Sequence, residues 1–271
     1  MLRFWYLPFL LIGGYFVSMS SKNVPVTLNQ ARLIVSELRG GDFTHAGDTE
    51  AIDMVLAKLK ADFPEVLKGN CLDVGCGFGG TADYLVKQGV EKIWGIDINK
   101  PALDYAKSKY KSVNCLNLDA FAVSTQFDRK FFSLVYLFNV LYAIEDKVSV
   151  LKQLAMVSKP GAILMLFDYS AGDNGDPVLD LAGATMHPIQ TNKIEQQLKE
   201  AGWEIVEKND LSSEFVVWYE KLIQKLSVKE QELKGNYLAE DISKVFLTYS
   251  HILNQLRLKK MGGVLIYAKR V

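Results

Sequence analysis

The stretch "CLDVGCGFGG", residues 71–80, places four glycines within six residues directly after an apolar run, with Asp73 just ahead of them. Such a run removes the Cβ at four positions of a turn between strand and helix, so backbone N–H groups there can come close to a ligand. Gly75, Gly77 and Gly80 satisfy G-x-G-x-x-G, while Gly75, Gly77 and Gly79 satisfy G-x-G-x-G. The glycines by themselves therefore admit either a dinucleotide or an adenosyl ligand. Asp73 separates the two. A dinucleotide site directs a helix N-terminus at a pyrophosphate, next to which a carboxylate is a poor neighbour. S-adenosylmethionine carries no phosphate but a cationic α-amino group and a sulfonium, for which an acid beside the turn is favourable.

Working outward, strand and helix patterns alternate: strand near 70–75, helix 80–88, strand 92–97, helix 101–110, strand 113–118, strand 132–138, helix 146–157 and strand 162–168. Alternation of that kind predicts an α/β fold with a parallel sheet covered by helices. Asp97 ends the second strand, "IWGIDIN", where it can accept both ribose hydroxyls, as it also would for NAD. Asp119 in "LNLDAF" ends the third and is placed to accept from an adenine amino group. Three strand-end acids then line one crevice at the carboxyl edge of the sheet, where ligands of open α/β sheets lie. No second nucleotide-binding half follows, which disfavours NAD.

Upstream, Leu28 to Arg39 has helical apolar spacing and stops at Gly40-Gly41, and a second helix from about Asp48 to Ala61 ends before Pro64. These predict a helical cap over residues 21–66. Downstream, "SAGDNGDPVLDLAGATMHPIQ" is a Gly, Asp and Pro-rich crossing, followed by helix 191–201 and strand 203–208. Roughly fifty residues of helical pattern then precede the last strand, "GGVLIYAK", and an insertion of that length predicts a lid at about 211–260. Its apolar residues (Phe215, Trp218, Leu222, Leu226; Ile242, Val245, Phe246, Tyr249, Leu253, Leu256) are expected mostly to fill core.

"LDVGCGFGG", "GIDIN", "LNLDAF", "FFSLVYLFNVLYAIED", "SKPGAILMLFDY" and "GGVLIYAK", in that order and spacing, resemble the class I S-adenosylmethionine-dependent methyltransferases. The resemblance implies a Rossmann-like, seven-stranded, mostly parallel sheet whose last strand is antiparallel, with a methyltransferase domain over 67–271. It also implies S-adenosyl-L-methionine as cofactor, held by Asp73, Gly75, Gly77, Gly79, Asp97, Ile98, Asp119, Ala120 and Asn139. More narrowly, "GDFTHAGDTEA", "DYSAGD" and "WEIVEKNDLSSEF" are similar to small-amine N-methyltransferases acting on phosphoethanolamine or on sarcosine and dimethylglycine. Two positions depart from that pattern: Asn139 and Ala143 stand where those enzymes often carry Asp and His.

Methyl transfer from a sulfonium is an in-line displacement, for which the protein holds donor and acceptor close and dry. No metal is required. An amine acceptor must attack in its neutral form, so a proton acceptor or a desolvating wall is expected. His45, in the cap segment, is the candidate acceptor of that proton, and Tyr169, after Asp168, the candidate aromatic wall for a cationic amine. His187 in the crossing is a second imidazole that can border the crevice, and His251 on the lid a weaker one.

Lys plus Arg and Asp plus Glu each total 31, so no net field selects nucleic acid as a partner; a small-molecule acceptor is expected instead. Cys71, Cys76 and Cys115 show no metal-ligand spacing and read as small core residues of a chain in a reducing compartment. "MLRFWYLPFLLIGGYFVSMS" admits three readings: an export signal, a weakly membrane-associating segment over residues 1–18, or sequence preceding a start at Met19. The expected location is accordingly cytoplasmic, with membrane association through that segment left open. Two further functions stay open beside amine methylation: C-methylation of a quinone or lipid, and cofactor binding without turnover. Nothing in the sequence fixes the oligomeric state.

Overall fold

A computed structural model describes residues 29–172, 179–181 and 184–271. The apolar segment 1–20 and the first part of the expected cap lie outside these residues. In chain order the elements are α1 (Gln30–Arg39), α2 (Asp48–Asp62), β1 (Asn70–Val74), α3 (Gly80–Lys87), β2 (Lys92–Asp97), α4 (Lys100–Lys109), β3 (Asn114–Asn117), α5 (Val123–Gln126), β4 (Phe132–Phe138), α6 (Lys147–Val157) and β5 (Ser158–Ala171). Then come β6 (Leu179–Leu181), β7 (Ala184–Met186), α7 (Ile194–Glu200), β8 (Trp203–Asp210), α8 (Ser212–Leu233), α9 (Ala239–Arg257) and β9 (Met261–Arg270).

Seven strands form one sheet in the order β3-β2-β1-β4-β5-β9-β8, parallel except for β9, which runs antiparallel to both β5 and β8. The strand order reverses at β1/β4, which opens a crevice at their carboxyl ends. Two apolar cores result because the central strands are buried on both faces. Leu72, Val74, Val135 and Leu164 pack towards α5, α6 and α7; Cys71, Leu134, Tyr136 and Ile163 pack towards α1 to α4, α8 and α9.

Local chemistry starts and stops the cap helices. Asn29 caps α1 by accepting the Ala31 N–H at 3.0 Å, and Gly40 ends it at φ 67°, where its own amide and that of Gly41 return to the Glu37 and Ser36 carbonyls. The two helices of the expected lid lie along each other and against α1, so cap and lid residues form one layer over the sheet. The apolar residues assigned to that layer are buried, with the exception of Phe246, which is 39% exposed.

Two elements differ from the sequence reading. β5 extends from residue 158 to 171 instead of 162 to 168, because Tyr169, Ser170 and Ala171 continue the ladder with Gly263, Gly262 and Met261 of β9. The crossing after β5 contains a short hairpin, β6 paired antiparallel with β7, in place of an uninterrupted loop.

Candidate functional site

Parity along the parallel strands decides which side chains meet. Residues 71 and 73 of β1, 93, 95 and 97 of β2, and 134, 136 and 138 of β4 share one face of the sheet, so Asp73 and Asp97 point towards the cap layer. Asp97 organises the glycine turn. Its Oδ2 accepts the Gly77 N–H at 2.8 Å and its Oδ1 the Asn99 N–H at 2.8 Å. The Gly75 and Cys76 amides bind the Ile96 carbonyl, so the turn is stitched to the end of β2. Gly77 itself sits at φ 51°, a conformation that side chains disfavour.

Asp73 is buried and its Oδ2 has no hydrogen-bond partner. Burial pushes its carboxyl well above the ordinary value, and the Cys115 thiol and the Asp97 carboxylate push the same way. The Tyr136 phenol faces it and favours the charged form, but its hydroxyl also completes no hydrogen bond. Asp97 is raised as well, first by burial, against the opposing effects of Arg32 and of the N–H groups it accepts. Two buried carboxylates thus stand beside a bare turn, and burial penalises the charged form of each.

The cap segment roofs this turn. Its backbone lies so close that a Cβ at Gly80 would stand 2.6 Å from the Asp42 carbonyl oxygen. Asp42, buried, is held by Lys109 at 2.7 Å and by the Tyr110 hydroxyl at 2.6 Å, which fixes the segment to α4. Ahead of it, Arg32 on α1 extends its guanidinium over the Phe78 ring at 5.6 Å, with Nη1 3.9 Å from where a Gly77 Cβ would stand. That nitrogen is buried and has no partner.

Asn139 and Asp168 tie the neighbouring strand ends. Asn139, at φ 52°, accepts the Ala46 N–H on Oδ1 at 3.0 Å, which fixes its amide orientation and leaves Nδ2 buried without a partner. Asp168 faces the opposite way from Tyr169. Its Oδ2 accepts from the Val140 and Leu141 amides at 2.9 and 2.6 Å and its Oδ1 from the Tyr169 amide at 2.7 Å, holding the loop after β4 in place. Burial nonetheless raises its carboxyl to about 6.

His45 and Tyr169 occupy adjacent parts of the same buried face. The His45 ring stacks on Phe138 at 4.6 Å; its Nδ1 meets the Ala46 carbonyl at 2.9 Å and its Nε2 the Thr81 hydroxyl at 3.1 Å. The carbonyl can only accept, so Nδ1 carries the proton and Nε2 accepts from Thr81. Burial first, then Arg39, lowers this imidazole to about 4. It is neutral at physiological pH, yet the proton-acceptor role expected of it finds no free ring nitrogen here. Tyr169 packs edge-on to Tyr142 at 5.1 Å and to Phe215 at 5.6 Å, and its hydroxyl bonds that of Tyr219 on α8. It is 2% exposed.

The other expected residues are less buried. Ile98 follows Asp97 and is 36% exposed. Asp119 is exposed and accepts the Phe121 N–H at 2.9 Å, starting a short turn at Ala120. His187 is half-buried beyond the β6–β7 hairpin, its amide bonded to the Tyr142 carbonyl at 2.6 Å; burial first, then Lys147, lowers its imidazole. His251 lies exposed on α9, paired with Gln255. Among the described residues no group of three His, Cys, Asp or Glu is arranged to hold a metal ion. None of the helices described is long and apolar enough to cross a membrane.

Sequence reasoning passed over Arg32, Thr81 and the bracing role of Asp168. A signal existed for the first: Arg32 and Arg39 are seven residues apart on α1, hence on the same face of the helix as the buried Val35 and Ser36.

Comparison with known proteins agrees with this geometry. Residues 72–166 match the model of the methyltransferase domain family, and the fold is that of the class I S-adenosylmethionine-dependent methyltransferases. Phosphoethanolamine N-methyltransferase 1 of Zea mays is 26% identical over 180 residues, 63% of this chain and 35% of the maize enzyme. The chain thus spans about a third of that relative. O-methyltransferase cnsE of Penicillium expansum is 26% identical over 208 residues, 74% of this chain and 71% of its own. Among solved structures, phosphoethanolamine N-methyltransferase 2 of Haemonchus contortus, in complex with phosphomonomethylethanolamine and S-adenosylhomocysteine, superposes with a TM-score of 0.76 at 18% identity, covering 89% of this chain and 57% of that one.

Proposed function

We propose that the protein transfers a methyl group from S-adenosylmethionine to a small amine. The observation that carries the donor is Asp73 Oδ2, a buried carboxylate oxygen without a partner beside the glycine turn. A buried unpaired acid is costly, and the α-ammonium of the donor is the cation that relieves it. Asp97, already fixed by Gly77 and Asn99, is placed at the end of β2 for the ribose hydroxyls, while Asp119, Ala120 and Ile98 border the adenine end. Bound there, the donor supplies an electrophilic methyl on a sulfonium, and this chain supplies geometry and dryness.

The coarser part of the reading, a small molecule as acceptor, has the support of the methyltransferase domain match and of the phosphoethanolamine N-methyltransferase relative. The finer part, an amine, rests on the aromatic wall of Tyr142, Tyr169 and Phe215. Aromatic faces attract ammonium groups, and the same apolar wall favours loss of the proton that the amine must shed before it attacks. Tyr169 forms the wall, and His45 positions it by bracing Phe138 and the cap loop. The amine then loses its proton through desolvation and solvent, with no residue named as base.

The test is a two-stage one. Calorimetry with S-adenosylmethionine and with NAD should give binding of the first alone, and NAD binding with no response to the methyl donor would overturn the cofactor reading. A methyl-label screen against pooled amines, quinones and lipids then decides the acceptor: label on an amine supports the proposal, label on quinones or lipids only replaces it with C-methylation, and donor binding without any turnover replaces it with a binding protein.

A further inference from the structure

Three cations on the cap and around the strand ends are already engaged. Arg39 binds the His45 carbonyl and the Asp48 carboxylate; Lys109 binds Asp42; Lys147 binds the Ile144 and His187 carbonyls. The Arg32 side chain makes no hydrogen bond and no ion pair among the described residues. Its guanidinium is nevertheless held in place, lying over Phe78 with Nη1 removed from solvent beside Gly77. A buried guanidinium nitrogen without an acceptor is costly, so the position is one that an anion completes.

We infer that Arg32 is the anchor for the α-carboxylate of the methyl donor, acting as the cationic half of a clamp whose anionic half is Asp73. This rests on the donor reading above and deepens it. The amino-acid end of the donor is a zwitterion, with ammonium and carboxylate on one carbon. The structure offers a buried acid directly ahead of the glycine turn and a half-buried Arg beside Gly77 within it, each with an unmatched atom. Guanidinium suits this role because its planar fork meets a carboxylate with two parallel N–H donors. A carboxylate or phosphate on the acceptor would share the same chemistry. The donor is preferred because Arg32 lies over Phe78 and beside Gly77, both in the turn, and acts electrostatically on Asp97 at the end of the neighbouring strand.

The test compares two ligands that differ only in the part Arg32 would hold. S-adenosylhomocysteine has the amino-acid end; 5′-methylthioadenosine keeps the adenosine and thioether without it. Arg32→Ala should weaken S-adenosylhomocysteine at least twentyfold in calorimetry and leave 5′-methylthioadenosine within about twofold, with Arg32→Lys recovering most of the loss. Equal loss for both ligands would overturn the inference by making Arg32 a support for the fold, and so would unchanged S-adenosylhomocysteine affinity. If that affinity is unchanged but KM rises for an anionic acceptor, the anchored anion belongs to the acceptor and the donor assignment falls. Failure of the wild-type protein to bind S-adenosylhomocysteine at all is a separate result, overturning the donor reading itself.

Discussion

Asn139 Oδ1 accepts the backbone N–H of Ala46 at 3.0 Å, so the residue that follows β4 also fastens the cap segment across 93 positions of sequence. His45 sits immediately before that amide, and Phe138, on which it stacks, immediately before Asn139. The roof of the crevice and the end of a central strand are therefore one unit.

Replacing Asn139 tests that unit. Asn139→Ala leaves the Ala46 N–H buried without an acceptor and forces alanine to φ 52°, and each effect costs about 1–2 kcal/mol. Asn139→Gly relieves only the second. Urea denaturation should rank the proteins wild type, then glycine, then alanine, and an alanine variant as stable as the glycine one would show that the backbone conformation carries no strain.

Asp73 separates stability from binding. Asp73→Asn keeps the shape but removes a buried charge whose carboxyl is already pushed upward by burial. The free protein should be as stable as wild type or more so, while donor affinity should fall at least tenfold, or about 1.4 kcal/mol. Asp97→Ala differs, because it also strips acceptors from the Gly77 and Asn99 amides. It should lose both thermal stability and about 2 kcal/mol or more of donor binding.

His45 sets a pH dependence with a definite sign. The folded imidazole titrates near 4 against 6.5 when unfolded. Between those values the unfolded chain takes up a proton that the folded chain does not, so this contribution is present above about pH 6.5 and is lost as pH falls towards 4. Asp168 slopes the other way, since its carboxyl is raised to about 6 and its contribution is lost as pH rises from 3.8 to that value. His45→Gln isolates the first effect. The stability difference between wild type and this variant should shrink by about 2 kcal/mol from pH 7 to pH 4.5, and a constant difference would mean that the imidazole takes up its proton over the same pH range in the folded and the unfolded chain.

Tyr169→Leu keeps much of the volume and removes the aromatic face. Transfer to an amine should fall at least tenfold, about 1.4 kcal/mol of transition-state stabilisation, with S-adenosylhomocysteine affinity nearly unchanged. Tyr169→Phe, which loses only the bond to the Tyr219 hydroxyl, should retain most of the rate. Equal rates for wild type and the leucine variant would remove Tyr169 from the acceptor wall.

The sequence by itself determined the sheet and its ligand edge, because both are written in short-range pattern. Glycines at 75, 77, 79 and 80 with Asp73 ahead of them, and acids at 97 and 119 on successive strand ends, state the turn and the row of carboxylates without reference to anything distant. Tertiary structure alone decided which polar atoms are left unmatched. Whether Asp73 Oδ2 is orphaned, whether both nitrogens of His45 are engaged by Ala46 and Thr81, and whether Arg32 rather than Arg39 remains free all depend on partners brought from other elements. Tyr169 was legible as a strand-end aromatic, but its place within the ladder came from pairing with Gly263 nearly a hundred residues later. Periodicity reports which face of an element a residue occupies. What that face meets is set by packing between elements far apart in sequence, and the same packing determines the chemistry at the crevice.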